Sequence, residues 1–373
     1  MRILFTGGGT GGHFYPIVAV ARQLKGIIAE ERLLHSRLYY IGPDDFGHDI
    51  LQKDGIETIQ VLSGKWRRYG SLQNIIDVFK IIAGTVKAFI VLFTIMPDVI
   101  FSKGGYGSIP VVCVAALYRI PLIIHESDSV IGLANRFASR FAERIAVSFE
   151  STVKLIPKKS SVALVGNPIR QTILGGSKES AVGTFAISTH RPVVLVVGGS
   201  QGSEMINFTV TGALRELLGD FEILHQTGDK HFDGIKSKTR TILKNENQAA
   251  YHPFPFFNDD ELKNAYAIAD IIVSRAGAGS IFEIAAAGKP AILVPLKDSA
   301  QEHQKQNAYE YAGTGAAIVI EESNLTPNVL LNEIRKLIAD ENLRIAMSER
   351  ARHFAKPNAA EAIAKEILKL GLH

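Results

Sequence analysis

Residues 1–13, MRILFTGGGTGGH, read as an apolar strand that runs into a glycine-rich turn, with a helix expected from about Pro16. The same order recurs three times. DVIFS (98–102) leads into Gly104, Gly105 and Gly107 and a helix from Pro110. PVVLVV (192–197) leads into Gly198, Gly199 and Gly202, and ADIIVS (269–274) into Gly277, Gly279 and the helix SIFEIAAAG. Strands that are apolar throughout, each followed by a turn and a helix, mark a parallel sheet covered on both faces. Loops at the carboxyl ends of such strands line the ligand crevice. Two of the loops fall in each half of the chain. The expected architecture is therefore α/β, with two Rossmann-like doubly wound domains facing each other across a cleft.

The expected domains are 1–165 and 166–354. The break lies in PKKSSVALVGNP (157–168), where Pro, Lys and Ser precede a short strand and a Gly-Asn-Pro turn. A last amphipathic helix, within 355–373, carries Ile363, Ile367, Leu368 and Leu370 on one face. It is expected to pack back on the first domain.

A length of 373 residues suits two domains, and 46% hydrophobic with 21% charged residues is ordinary for a globular chain. Cys113 is the single cysteine, which excludes a disulfide framework and cysteine-based metal sites. The opening residues lack the pattern of a signal peptide, and the chain reads as cytoplasmic. A net charge of +4 is too small to indicate a nucleic-acid partner.

The charge is uneven, however. Lys65, Arg67, Arg68, Lys80 and Lys87 stand against Asp77 within 63–89. They flank the most hydrophobic stretch, residues 72–96, which Asp77, Lys80 and Lys87 interrupt and Pro97 ends. One reading is a buried core helix. The other is a membrane-facing patch of Phe79, Ile82, Val86 and Phe89 with Lys80, Lys87, Arg67 and Arg68 beside them, which suits an anionic surface.

The glycine loops carry the chemistry. In GGGTGG (7–12) the backbone can approach a phosphate closely, and the helix that follows presents free N–H groups to an anion. The loop lacks G-K-[ST], which disfavours a P-loop NTPase, and no acid follows at the spacing of a dinucleotide fingerprint. His13 closes this loop, either as a general base or as a capping or phosphate-contacting residue. His125, Glu126 and Asp128 end the strand after the second loop, in a functional site or a satisfied turn. No Asp-x-Asp pair is present to hold a divalent ion as some sugar-nucleotide transferases do. In the fourth loop a helix N-terminus is expected at Gly279-Ser280, with backbone N–H groups for a diphosphate. Glu283 either accepts from ribose hydroxyls or forms a capping box with Ser280. Gln304 and Asn307 either bond sugar hydroxyls or open a solvated helix.

Taken together, GGGTGGH, GGYGSIP, HESD, GNPIR, GGSQGS, SRAGAGSIFEIAAAGKP and HQKQNA resemble, in order and spacing, the MurG-type family. Its members are undecaprenyl-diphospho-muramoylpentapeptide β-N-acetylglucosaminyltransferases, and the resemblance spans residues 1 to about 360. It implies a GT-B fold and inverting transfer of GlcNAc from UDP-GlcNAc to the muramyl 4-hydroxyl of lipid I, giving lipid II for peptidoglycan. It also implies a peripheral protein on the cytoplasmic face of the membrane. The partners it implies are UDP-GlcNAc, lipid I and the anionic inner membrane surface, with room for other cell-wall synthesis proteins and with no cofactor or metal.

Residue by residue, the resemblance makes His13 the catalytic base. It assigns Thr10, Gly11, Gly12, Arg170, Ser200, Phe257, Gly279, Ser280, Glu283 and Gln304 to UDP-GlcNAc, with uracil meeting the backbone at Phe257. Gly105, Tyr106, His125, Glu126 and Asp128 fall on the acceptor side. Helix N-termini and Arg170 are expected to stabilise the leaving diphosphate. HESD stands where many members have HEQN, so Asp128 replaces an asparagine, and His303 stands where some have a second glutamine. The alternatives are a GT-B transferase with a different lipid acceptor, a UDP-GlcNAc epimerase, and a non-catalytic nucleotide-sugar-binding subunit.

Overall fold

The computed structural model describes residues 1–8, 11–33, 35–43, 47–64, 72–156, 161–188, 190–199, 201–244, 248–297 and 299–372. The chain divides into two compact units, Met1–Ile169 with Lys356–His373, and Arg170–Ala355.

The first unit is built on seven parallel strands: β1 (Arg2–Thr6), β2 (Arg37–Gly42), β3 (Glu57–Gln60), β4 (Val99–Ser102), β5 (Leu122–Glu126), β6 (Arg144–Val147) and β7 (Ser161–Leu164). Their order is β3-β2-β1-β4-β5-β6-β7. The second unit has six: β8 (Val193–Val197), β9 (Glu222–Gln226), β10 (Tyr251–Phe254), β11 (Ile271–Ser274), β12 (Ala291–Leu293) and β13 (Ala317–Val319), in the order β10-β9-β8-β11-β12-β13. In both sheets the winding reverses beside the first strand, between β1 and β4 and between β8 and β11. That switch point is where two adjacent loops diverge and leave a crevice for a ligand. All four glycine loops sit there. The apolar strands β1, β4, β8 and β11 are buried along nearly their whole length, as strands covered on both faces must be.

Two boundaries differ from the sequence expectation. The first helix begins at Gly11, not near Pro16, so Pro16 lies inside Gly11–Glu30. Proline lacks only the bond that would close the turn beginning at Gly12, and glycines before it adopt helical backbone at the loop itself. The helix after the fourth glycine loop begins at Ala278, with Gly277 as its N-cap, two residues ahead of Ser280.

The first unit runs on to Ile169 because Val165 and Gly166 both donate to the Val147 carbonyl and Gly166 in turn accepts from His125. The closing helix Ala359–Gly371 belongs to this unit. Its Ile363, Ala364 and Ile367 share one core with Ile17, Val20 and Leu24 of Gly11–Glu30. A Cβ on Gly371 would stand 2.8 Å from the Met1 sulfur, so the chain ends against its own start.

The helix Leu72–Ile95 has two apolar faces. Asp77, Gly84, Ala88, Leu92 and Ile95 face inward. The inner face is so close that a Cβ on Gly84 would overlap the Leu62 carbonyl. Ile76, Phe79, Ile82, Val86, Phe89, Ile90 and Phe93 form the opposite stripe, and Phe79 and Phe93 are each 67% exposed. Lys80 and Lys87 are exposed beside them, while Arg67 and Arg68, expected in the same rim, lie outside the described residues. Ile76–Ile95 is long and apolar enough to cross a membrane by length and composition, yet its inner face belongs to the unit's own core.

Candidate active site

In the first unit the two glycine loops touch. Gly105, at φ +79°, leaves room for a Cβ only 3.1 Å from the Gly8 carbonyl and 3.4 Å from the His13 ring. A side chain there would push His13 and the first loop apart. Gly7 is fixed from the other side by Tyr40, whose hydroxyl donates to its carbonyl at 3.0 Å. His13, half-buried in the first turn of its helix, thus lies against Gly105, beside Tyr106 in the short turn Tyr106–Ser108. Gly11 and Gly12 are the first two residues of the His13 helix. Thr10, expected in the same loop, lies outside the described residues.

Beside them a buried polar cluster ends β4 and β5. Glu126 accepts from Gly132 N–H at 2.9 Å, Asn135 Nδ2 at 2.9 Å and Asp128 N–H at 3.2 Å. Burial raises its pKa, Asp128 raises it further, and Lys103, Asn135 and Gly132 work against the rise. Asn135 also donates to the His125 carbonyl and fills the space a Cβ on Gly104 would need. Lys103 is buried, and its ammonium donates to the Ser127 hydroxyl. Burial lowers its pKa, while Glu126 and Asp128 oppose the drop. Asp128 is half-buried, and its carbonyl accepts from Thr152.

His125 is fully buried, and its Nε2 meets the Gly166 carbonyl at 2.9 Å. Nδ1 is buried without a hydrogen-bond partner, which is tolerable for a bare lone pair and costly for a proton. Burial and Lys103 accordingly hold its pKa well below the usual histidine value. Lys103 and Asn135 were not singled out from the sequence. The Lys before Gly104-Gly105 was visible, but its burial was not.

The second unit carries the other set. Gly279, Ser280 and Glu283 lie in the first two turns of Ala278–Ala287. The N-cap is Gly277 and makes no side-chain bond, so Glu283 is not the acid of a capping box. Its carboxylate instead accepts from Arg170, Nε to Oε1 at 3.1 Å and Nη2 to Oε2 at 3.4 Å, and from the Tyr266 hydroxyl at 3.3 Å. Arg170 Nη1 reaches Asp259 at 2.9 Å. Desolvation works against the Arg170 charge, but Glu283 and Asp259 outweigh it and the pKa rises. The structure therefore sets Arg170 against two carboxylates. Asp259 and Tyr266 were not found in the sequence, because neither lies near Arg170 along the chain.

Phe257 is fully buried against Phe185 and Phe254, and its N–H donates to Gln226. Gln304, in the first turn of His303–Gly313, accepts the Leu296 N–H at 3.1 Å. Asn307 is fully buried and donates to the Ala276 carbonyl, so it braces the fourth glycine loop from within. Ser200 lies outside the described residues.

Two Rossmann-like sheets, each with a pair of glycine loops at its switch point, define a GT-B class of fold, and the comparisons narrow it. The family model of the glycosyltransferase family 28 N-terminal domain matches residues 3–147, and that of the family 28 C-terminal domain matches residues 193–366. A Treponema denticola protein named UDP-N-acetylglucosamine--N-acetylmuramyl-(pentapeptide) pyrophosphoryl-undecaprenol N-acetylglucosamine transferase is 37% identical over 98% of this chain and 95% of its own. A Bacillus thuringiensis protein of that name is 38% identical over 90% and 91%. The crystal structure of Acinetobacter baumannii MurG superposes with a TM-score of 0.76 at 28% identity, covering 99% of both chains. The chain belongs to this N-acetylglucosamine transferase family. A UDP-GlcNAc 2-epimerase from Neisseria meningitidis also superposes, TM-score 0.68, but at 15% identity the likeness is one of fold alone.

Proposed function

We propose that the protein transfers GlcNAc from UDP-GlcNAc to the muramyl 4-hydroxyl of lipid I, with inversion, to form lipid II. The observation that carries the donor half is Glu283. A carboxylate held by Arg170 and Tyr266, in the second turn of a helix that starts at a switch-point glycine loop, suits vicinal ribose hydroxyls and supports a diphosphate at that helix N-terminus. Whole-length family membership supplies the sugar and the acceptor.

On this reading the second unit takes UDP-GlcNAc and the first takes lipid I. His13 accepts the proton of the 4-hydroxyl as that oxygen attacks the anomeric carbon, and the bond to the UDP oxygen breaks in the same displacement. One displacement turns an α-linked donor into a β-linked product. Negative charge grows on the departing diphosphate, and helix N-termini oppose it. Arg170 serves by holding Glu283. The Glu126 cluster shapes the loop on the acceptor side.

The exposed stripe Phe79–Phe93 with Lys80 and Lys87 supports peripheral docking on the anionic cytoplasmic membrane surface, where lipid I is anchored. The inner face of the same helix is core, which favours a helix lying on the membrane over one that crosses it.

The test is transfer of labelled GlcNAc to a short-chain lipid I analogue against diacylglycerol. Label in the lipid I analogue alone is expected. Transfer to diacylglycerol would assign a different acceptor.

A further inference from the structure

In the second unit, β9 lies between β8 and β10, and its last residue is Gln226, only 3% exposed. The side-chain amide joins the loops of both neighbours. Nε2 donates to the Gly199 carbonyl at 3.1 Å, in the glycine loop after β8. Oε1 accepts from the Phe257 N–H at 3.1 Å, in the loop after β10. Both polar ends of one rigid planar group are satisfied, each by a different loop. Gly202 N–H also donates to the Gly199 carbonyl, at 3.1 Å, so that oxygen is held from two sides and turned to protein.

The turn after Gln226 continues the bridge. Thr227 N–H donates to Phe254 and Gly228 N–H to Pro255. A Cβ on Gly202 would stand 2.1 Å from the Thr227 carbonyl, so the two loops are in backbone contact there. His225 points the other way along the strand, to Asn207 at 2.9 Å and the Tyr251 hydroxyl at 3.0 Å. That alternation separates a brace beneath the sheet from a brace between the loops.

We infer that Gln226 is the positioning residue that sets the distance between the glycine loop after β8, held at Gly199, and the loop at Phe257, so that a nucleoside diphosphate meeting both loops is bound as one piece. The inference rests on the donor reading above. Gln226 need not touch the nucleotide. It fixes the spacing that a base and its diphosphate must match, so its loss weakens the joined ligand more than a fragment that meets a single loop.

The experiment measures inhibition constants of UDP and of uridine, with KM and kcat for UDP-GlcNAc, in wild type, Gln226→Ala, Gln226→Met and Tyr251→Phe. Losing two buried neutral hydrogen bonds should weaken UDP by about tenfold and raise donor KM alike. Uridine should weaken by less than about threefold and kcat should change by no more than that. Tyr251→Phe, which cuts the brace beneath the sheet, should leave UDP unchanged. Gln226→Met keeps side-chain volume, so it carries the test if the alanine variant does not fold. UDP inhibition unchanged in a folded Gln226 variant overturns the inference. So does equal weakening of UDP and uridine, which would mean local disorder and not lost spacing. Failure of the wild type to bind UDP would instead remove the donor reading itself.

Discussion

Arg170 and Glu283, 113 positions apart in the chain, form a two-point ion pair, with Nε to Oε1 at 3.1 Å and Nη2 to Oε2 at 3.4 Å. Tyr266 donates to the same carboxylate, so its direction is fixed from two sides. A planar fork gives a geometry that an ammonium cannot copy. Arg170→Lys should therefore raise donor KM by about threefold to tenfold, in line with one weakened charge-assisted bond. If Glu283 also accepts from the ribose hydroxyls, Glu283→Gln should raise it further, because the amide keeps only one acceptor oxygen and loses the charge that pairs with Arg170. Steady-state kinetics with UDP-GlcNAc varied check both, and a Glu283→Gln enzyme with wild-type KM would remove the ribose role.

His13 lies against Gly105, where two glycine loops meet. If it takes the acceptor proton, His13→Ala should lower kcat by about a hundredfold or more with little change in donor KM. Single-turnover transfer at saturating donor measures this. Retention of most of kcat would leave His13 a structural or phosphate-contacting role. Gly105→Ala should show a similar loss, since its Cβ would crowd both Gly8 and the imidazole.

Lys103 is a buried cation beside the Glu126 and Asp128 carboxylates. Lys103→Met leaves those carboxylates without their cation, and a loss of about 3 kcal/mol in folding stability is expected. Adding Asp128→Asn removes one of the unopposed carboxylates and should return part of it. A double-mutant cycle by denaturant unfolding reads the coupling. Strictly additive effects would show that Lys103 and Asp128 do not interact.

Buried histidine makes the fold acid-sensitive. His225 is pushed from the usual 6.5 down to about 3 by desolvation, so the unfolded chain binds its proton and the folded chain does not across that interval. Stability is full above pH 6.5 and falls as pH drops toward 3, at about 1.4 kcal/mol per pH unit from this group. The loss should appear as a difference in slope between wild type and His225→Gln in unfolding measured from pH 7.5 to 5. Parallel slopes would contradict a neutral buried His225.

The apolar stripe gives a separable prediction. Phe79→Asp with Ile82→Asp should abolish most cosedimentation with anionic vesicles while UDP affinity stays at the wild-type value. Both side chains are exposed, so the fold loses little. Undiminished sedimentation would refute the docking face.

The sheets were legible because their strands are continuous apolar runs, and the four glycine loops because only a few residue types tolerate such turns. RILFT coincides with β1 residue for residue. The helix Leu72–Ile95 was legible as apolar but not as two-faced, since an all-round hydrophobic helix hides which stripe the core takes. Glu283 was found from its place after a glycine loop, yet its partner Arg170 had been expected at the diphosphate, because contacts over a hundred positions apart leave no periodic trace. Gln226 escaped for the same reason. At the end of an apolar strand it looks like any polar strand terminus, and only the order β10-β9-β8 puts two loops within its reach.

The most direct test of the account incubates the protein with UDP-GlcNAc, with and without a short-chain lipid I analogue, and follows UDP release and the anomeric configuration of the product. UDP release is expected only when acceptor is present, with a β-linked disaccharide as product. UDP release at the same rate without acceptor, or an α-linked product, would contradict it.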